Sequence, residues 1–379
     1  MRIALVSAIL DLKSKSNYFH RSADDYLSLF SYVEDIGYDT FLFLDPSLMQ
    51  YKRNVSKDNL TVIERSFENL STNDLIPKEG RTVQHAMVDG KVHPGHIYYA
   101  IANNAKVFMV QEIMEAYPDY DLYVWLDAGV SHGDPYPYPK ESLESLSKDK
   151  ITILIINWPQ ISQGNVEEYW SLNRYNIAGG LMAFPKALMP FFMEQYLKTL
   201  DLAKELGYVC LEEQIIPVLM HNTDLSNFEF RFTDYRLLSN LKYLTVTSDI
   251  DVITRNLHVL PNEIAIHLVK YLIASLEYGS LRCNIEQFCF IMYYCHIKAF
   301  YTDRALSDRL ARIIRALITY QGDNIPLPTK SFMIGKRLKA AFPNIEQNIS
   351  YNGNQDVKSS WLEYLLAYPE DVKIFRLFL

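Results

Sequence analysis

The residues best placed to do chemistry are carboxylates delivered at the ends of apolar runs. Leu122 to Leu126 is a short run of strand formers, and Asp127-Ala128-Gly129 follows it directly. In an open α/β sheet, ligands bind at the carboxyl ends of the strands. A carboxylate there, followed by a small residue and a glycine, can meet a ligand at close range. The plainer alternative is an aspartate that caps a turn. Thr40 to Leu44 closes in the same way on Asp45-Pro46, and a first strand over Arg2 to Ala8 ends in Ser7 and Ala8, open to nucleotide contacts. Gly179-Gly180 lies inside the run Ile177 to Phe184, where the missing Cβ atoms let backbone approach a ligand. Glu212, Glu213 and Gln214 stand together on a short helix read over Cys210 to Met220. Acidic residues also simply favour a helix N-terminus.

These residues need a frame. Ile101, Ala105, Phe108, Met109 and Ile113 recur at three- and four-residue spacing, which predicts a helix entering the Asp127 strand, with Pro118 as its stop. Upstream, Ser22 in the polar loop His20-Arg21-Ser22 is the expected N-cap of a helix running to about Ile36. Downstream, Ile151 to Asn157 and Phe228 to Phe232 read as strands, and Lys186 to Leu206 as a long helix. The stretch from Asn54 to Leu70 reads as mixed loop and helix, and Ser71 to Pro94 as an irregular polar connection. His132 to Lys140 is a proline- and tyrosine-rich loop, and Gln160 to Arg174 a potential flap over the site. Alternating strands and helices predict an α/β domain over residues 1–245. An α-helical region over 246–379 follows, with helices at Glu263 to Glu277, Ile285 to Phe300, Asp303 to Tyr320 and within Ser360 to Leu379.

Composition narrows the classes. With 379 residues, 49% hydrophobic and 22% charged, the chain has ample material for one large core or two ordinary ones. A net charge of −8 gives no global electrostatic case for nucleic acid. Cys210, Cys283, Cys289 and Cys295 show no CxxC spacing and read as reduced thiols of a cytoplasmic protein. The apolar start, MRIALVSAIL, reads as a first strand rather than a signal peptide, and Glu286 to Phe300 falls short of a membrane span, which takes about 20 residues. Arg309, Arg312 and Arg315 on one helix make peripheral contact with anionic lipid conceivable, a solvated face being the simpler reading. Oligomeric state is not legible.

Taken in order, these pieces resemble the donor half of GT-A glycosyltransferases: a Rossmann-like mixed sheet flanked by helices that binds a nucleotide-diphosphate sugar. The closer resemblance is to the bacterial HtrL/YibB-like family, read as glycosyltransferases. It is carried by VSAILD, RSADDYLSLF, NNAKVFMVQEIMEAYPDYDLYVWLDAGV, IAGGLMAFPKALMPFF and LEEQIIPVLMHN with FTDY, and spans about residues 1 to 240. A more distant likeness is to glycogenin-like retaining glycosyltransferases. In those enzymes the helix before the metal strand carries a basic residue contacting the donor, and Lys106 stands in that place. Their Asp-x-Asp metal motif corresponds to Asp127-Ala128-Gly129, so the second carboxylate is missing. Their Asn-Ala-Gly turn resembles Asn176 to Gly180, and their Asp-Gln pair resembles Glu213-Gln214.

The resemblance therefore implies transfer of a hexose, from a UDP-linked or related donor, to a saccharide or glycolipid acceptor in surface glycan synthesis. Ser7, Ala8, Arg21, Asp45, Lys106, Asp127, Ala128, Gly129, Gly179 and Gly180 would bind the donor. Lys106 and Arg21 would supply countercharge, and Asp127 would hold Mn²⁺ or Mg²⁺, with His132 or His221 as possible extra ligands. Glu213 would act at the reacting centre with Gln214 hydrogen-bonding beside it. Transfer without a metal, on Lys106 and Arg21 alone, is the variant that the missing carboxylate leaves open. The alternative from another class is a nucleotide-sugar-binding or scaffolding protein without catalysis, to be recognised by a Glu213 that points into the core.

Overall fold

The computed structural model describes residues 1–54, 58–130, 141–161, 165–172, 176–233, 241, 256–257, 259–278, 285–321 and 367. The chain divides into two compact units, 1–242 and 243–379. In the first unit the order is β1 (Ile3–Ile9), α1 (Ala23–Asp35), β2 (Asp39–Leu44), β3 (Leu60–Glu64), a small pair β4 (Met87–Val88) and β5 (Lys91–Val92), and α2 (Pro94–Ala116). It continues with β6 (Leu122–Leu126), α3 (Glu141–Glu144), β7 (Ile151–Ile155), α4 (Val166–Ser171), β8 (Ile177–Pro185), α5 (Met189–Glu205), α6 (Glu212–His221) and β9 (Phe228–Phe232).

Seven strands form one sheet in the order β3-β2-β1-β6-β8-β7-β9. All run parallel except β8, which is antiparallel to both β6 and β7. The central strands are continuously apolar because helices cover both faces of the sheet; every residue of β6 and of β7 is buried. At one edge β9 alternates buried and half-buried positions, as an outer strand does. This is a mixed, Rossmann-like α/β sheet flanked by helices.

The central helix and its strand lie where the residue pattern places them. The helix starts at Pro94, whose fixed φ suits a first helical position, and the His93 ring caps it by accepting from the Gly95 N–H. Ser22 and Asp25 exchange hydrogen bonds at the start of α1, a reciprocal cap. One strand escaped the sequence: β3 falls inside the stretch read as loop and helix. Its residues are only partly buried, so it lacks the apolar run that marks the inner strands. The connection 71–94 contains 3-10 turns and the β4–β5 pair.

The second unit contains α7 (Asn262–Tyr278), α8 (Ile285–Thr302) and α9 (Arg304–Gln321), matching the three helices expected there within a few residues. Arg309 pairs with Glu277 at 2.7 Å within this unit. Among the described residues no helix is long and apolar enough to cross a membrane. Cys210 and Cys295 are buried free thiols, which burial holds above the usual thiol range. The loop 132–140, residues 162–164 and 173–175, Asp234-Tyr235, the side chains of Cys283 and Cys289 and, apart from residue 367, the stretch 360–379 lie outside the described residues.

Candidate active site

Strand order turns between β1 and β6: the sheet runs outward from β1 through β2 and from β6 through β8. The crevice at the carboxyl ends of such a pair is where an open α/β sheet binds its ligand. Asp127 leaves β6 there, its N–H bonded to the Gly180 carbonyl at 2.9 Å, so the sheet itself fixes its position.

Behind Asp127 lies a buried ionic centre. The Lys106 ammonium, from the middle of α2, donates to Glu212 Oε1 at 2.6 Å and to the Gly179 carbonyl at 3.2 Å. It also lies 3.2 Å from Asp127 Oδ1 and 3.4 Å from Oδ2. A lysine carries three N–H donors, and all three are engaged here. Burial by itself would lower the Lys106 pKa; Asp127 and Glu212 outweigh it and raise the group well above the usual lysine range. The Glu212 side chain is 1% exposed, and its Oε2 has no hydrogen-bond partner among the described residues. This centre ties α2, β6, β8 and α6 together.

Glu213, one residue on, faces differently. It is half-buried, and its Oε1 accepts from the Gly179 N–H at 2.9 Å. Burial first, and then the Glu212 carboxylate beside it, push its pKa up to about 7. Gly179 thus offers its carbonyl to Lys106 and its N–H to Glu213. A Cβ there would stand 2.4 Å from Glu212 Oε1 and 3.1 Å from Glu213 Cγ, which is why only glycine fits.

Trp125, Tyr99 and Arg21 surround this centre. The Trp125 indole donates to Asp127 Oδ1 at 2.7 Å and orients a side chain that is 38% exposed. Tyr99 is two helical turns before Lys106 on the same face of α2. Its phenol feels Lys106, Glu212, Glu213 and Asp127, and burial of the hydroxyl raises its pKa. Arg21 lies over the Tyr26 ring, 5.9 Å from its centroid, and among the described residues no carboxylate pairs with it. The loop before α6 is held by Asn104, fully buried, which donates to the Cys210 and Ala100 carbonyls and accepts from the Tyr196 hydroxyl at 2.6 Å.

Comparison with known proteins now decides the family. The sequence model described as "Bacterial protein of unknown function (HtrL_YibB)" matches residues 2–197, more than half of the chain. The chain belongs to the HtrL/YibB family. No curated protein matches it. Solved structures align loosely. One is a 4-diphosphocytidyl-2C-methyl-D-erythritol synthase from Anaerococcus prevotii, at 13% identity and TM-score 0.31, over 68% of this chain and 98% of that one. Another is a mannose-1-phosphate geranyltransferase from Thermus thermophilus, at 15% identity and TM-score 0.30, over 62% and 74%. Nothing about the reaction follows from likenesses this weak.

In this HtrL/YibB protein the residues singled out from sequence fall in different places. Asp127, Lys106, Gly179, Gly180 and Glu213 come together, and Arg21 reaches Gly129: a Cβ on that glycine would be 3.7 Å from Arg21 Nη1 and 3.2 Å from the Tyr26 ring. Ser7, with a buried hydroxyl that has no partner among the described residues, and Ala8 line the end of β1. Ala128 is buried in the core. Two residues have other tasks. Gln214 accepts from the Leu211 N–H at 2.9 Å and donates to the Trp170 carbonyl at 3.3 Å, capping α6 instead of facing Asp127. Asp45 accepts from the Ser47 N–H and hydroxyl and so closes the turn after β2.

A divalent cation on Asp127 fits these residues poorly. Trp125 and Lys106 occupy the inner side of the carboxylate, and Ala128 and Gly129 add no side-chain oxygen. Among the described residues no group of three or more His, Cys, Asp or Glu could hold a metal. His221 is exposed at the far end of α6, about 13 Å along the helix from Glu212, and His132 lies outside the described residues. Tyr99 and Trp125 were not singled out from sequence, and Glu212 was named there only beside Glu213 and Gln214, without a task. For Tyr99 the available signal was its spacing of seven from Lys106 on one helix.

Proposed function

We propose that this chain is a glycosyltransferase that moves a hexose from a nucleoside-diphosphate sugar to a saccharide acceptor. The observation that carries the reading is the division of labour between adjacent carboxylates. Glu212 is buried on Lys106, while Glu213 is half-buried on the Gly179 N–H, within electrostatic reach of Asp127 and with its pKa near 7. An anionic face suits a sugar at the moment its anomeric carbon gains positive character, and carboxylates are good acceptors for its hydroxyl groups. Arg21, across the crevice, suits the other end of the donor, because a planar guanidinium matches a phosphate bidentately.

In the reaction, the bond from the anomeric carbon to the phosphate oxygen breaks and its electron pair leaves with the diphosphate. The acceptor hydroxyl forms the new bond, and its proton passes to Glu213. A base with a pKa near the working pH is well matched to that task. Glu213 is half-buried and accepts from the Gly179 N–H, so its carboxylate keeps some exposure, as a reacting group needs.

Thermal unfolding against a panel of UDP-, GDP-, CDP- and ADP-linked sugars tests the reading. Ligand at about 100 times its Kd contributes about 2.7 kcal/mol, so one nucleotide class should raise the melting temperature by several degrees. No shift with any donor would contradict it.

A further inference from the structure

We propose that Arg21 neutralises the donor diphosphate and that no divalent metal takes part. The inference rests on the transferase reading and concerns the position two residues after Asp127. A second metal-holding carboxylate would be attached at Gly129, where any side chain would start 3.2 Å from the Tyr26 ring and 3.7 Å from Arg21 Nη1. A cationic side chain therefore borders the position where such motifs place a carboxylate. Where a carboxylate would need a cation between itself and the diphosphate, Arg21 can meet the diphosphate directly.

Three further observations agree. The inner side of Asp127 is closed by the Trp125 indole at 2.7 Å and the Lys106 ammonium at 3.2 Å. Lys106 cannot serve the phosphates itself, because Glu212, Gly179 and Asp127 engage all its donors. Arg21 keeps its donors open: its neighbour is the Tyr26 ring, and Asp25, the nearby acid, is hydrogen-bonded to Ser22. Residues 20–22 follow β1 and Gly129 follows β6, so the guanidinium borders the crevice at the strand-order turn.

Calorimetric titration of UDP, GDP, CDP and ADP into the full chain, in EDTA and then in Mn²⁺ or Mg²⁺, tests this. One nucleotide should bind with Kd values that agree within about twofold with and without metal. Arg21→Ala should weaken that binding about tenfold or more, the loss of a charge-assisted pair, without lowering the melting temperature. Asp127→Asn, which removes a negative charge facing an anion, should tighten it. Gly129→Asp should weaken it by pairing with Arg21. Binding that appears only with metal and disappears in Asp127→Asn would overturn the inference and leave the transferase reading standing. If none of the four nucleotides binds in either buffer, both fall.

Discussion

The floor and the mouth of the crevice hold similar residues under opposite physical conditions. On the floor, Lys106 and Glu212 are buried at 9% and 1% side-chain exposure, bonded at 2.6 Å, with every lysine donor engaged. At the mouth, Arg21 has no carboxylate partner among the described residues, and Asp127 is 38% exposed. Burial turns a charge pair into framework, since each partner's desolvation is tolerated only because the other is present. A charge left at the edge keeps its capacity to meet a ligand. The lesson is that the basic residue in the motif position holds the site together, while a cation open to ligand comes from a loop.

That contrast can be broken from either side. Lys106→Met should be the most damaging change, leaving Glu212 buried without its countercharge at a cost of about 3–5 kcal/mol. Chemical denaturation would measure it, and adding Glu212→Leu should recover most of the loss. If Lys106→Met alone costs nothing, the floor is not framework. Gly179→Ala comes next. Its new Cβ would meet Glu212 Oε1 at 2.4 Å, so backbone or carboxylate must shift. A loss of about 1–3 kcal/mol is expected, together with loss of donor turnover.

Glu213→Gln has an effect on stability that depends on pH and is of unusual sign. The folded-state pKa of Glu213, about 7, lies above the ordinary glutamate value. The folded chain therefore holds a proton that the unfolded chain releases, and wild-type stability should fall as pH rises from about 4.5 to 7, by up to about 3 kcal/mol. Glu213→Gln should remove that slope and be the more stable protein above pH 7. Denaturation at pH 5 and pH 8 checks it. Arg21→Ala, at the rim, should change stability least, within about 0.5 kcal/mol.

Much of the frame was legible because buried strands and a helix with regular apolar spacing announce themselves in residue type. Leu122–Leu126 and Phe228–Phe232 coincide with their expected bounds for that reason. β3 was hidden because an edge strand need not be apolar. In the site, strand-end Asp127 and the Gly179-Gly180 pair could be found from sequence, since strand ends and missing Cβ atoms are properties of the chain itself. The tasks of Lys106 and Gln214 could not. Whether three acceptors converge on an ammonium, or an amide turns back to cap its own helix, depends on side-chain direction, which spacing does not encode. The same holds for Glu212 and Glu213, adjacent in sequence and given opposite roles by the one turn of backbone at Leu211 that starts α6.

The most direct test of the account is the rate of nucleoside-diphosphate release from the best-binding donor sugar, measured from pH 5 to 9 for wild type and Glu213→Gln. The account predicts a wild-type rate that rises with a midpoint near pH 7, as the Glu213 carboxyl ionises, and a variant that retains donor binding but releases almost nothing at any pH. Equal release by the two proteins, or a profile flat through pH 7, would contradict it.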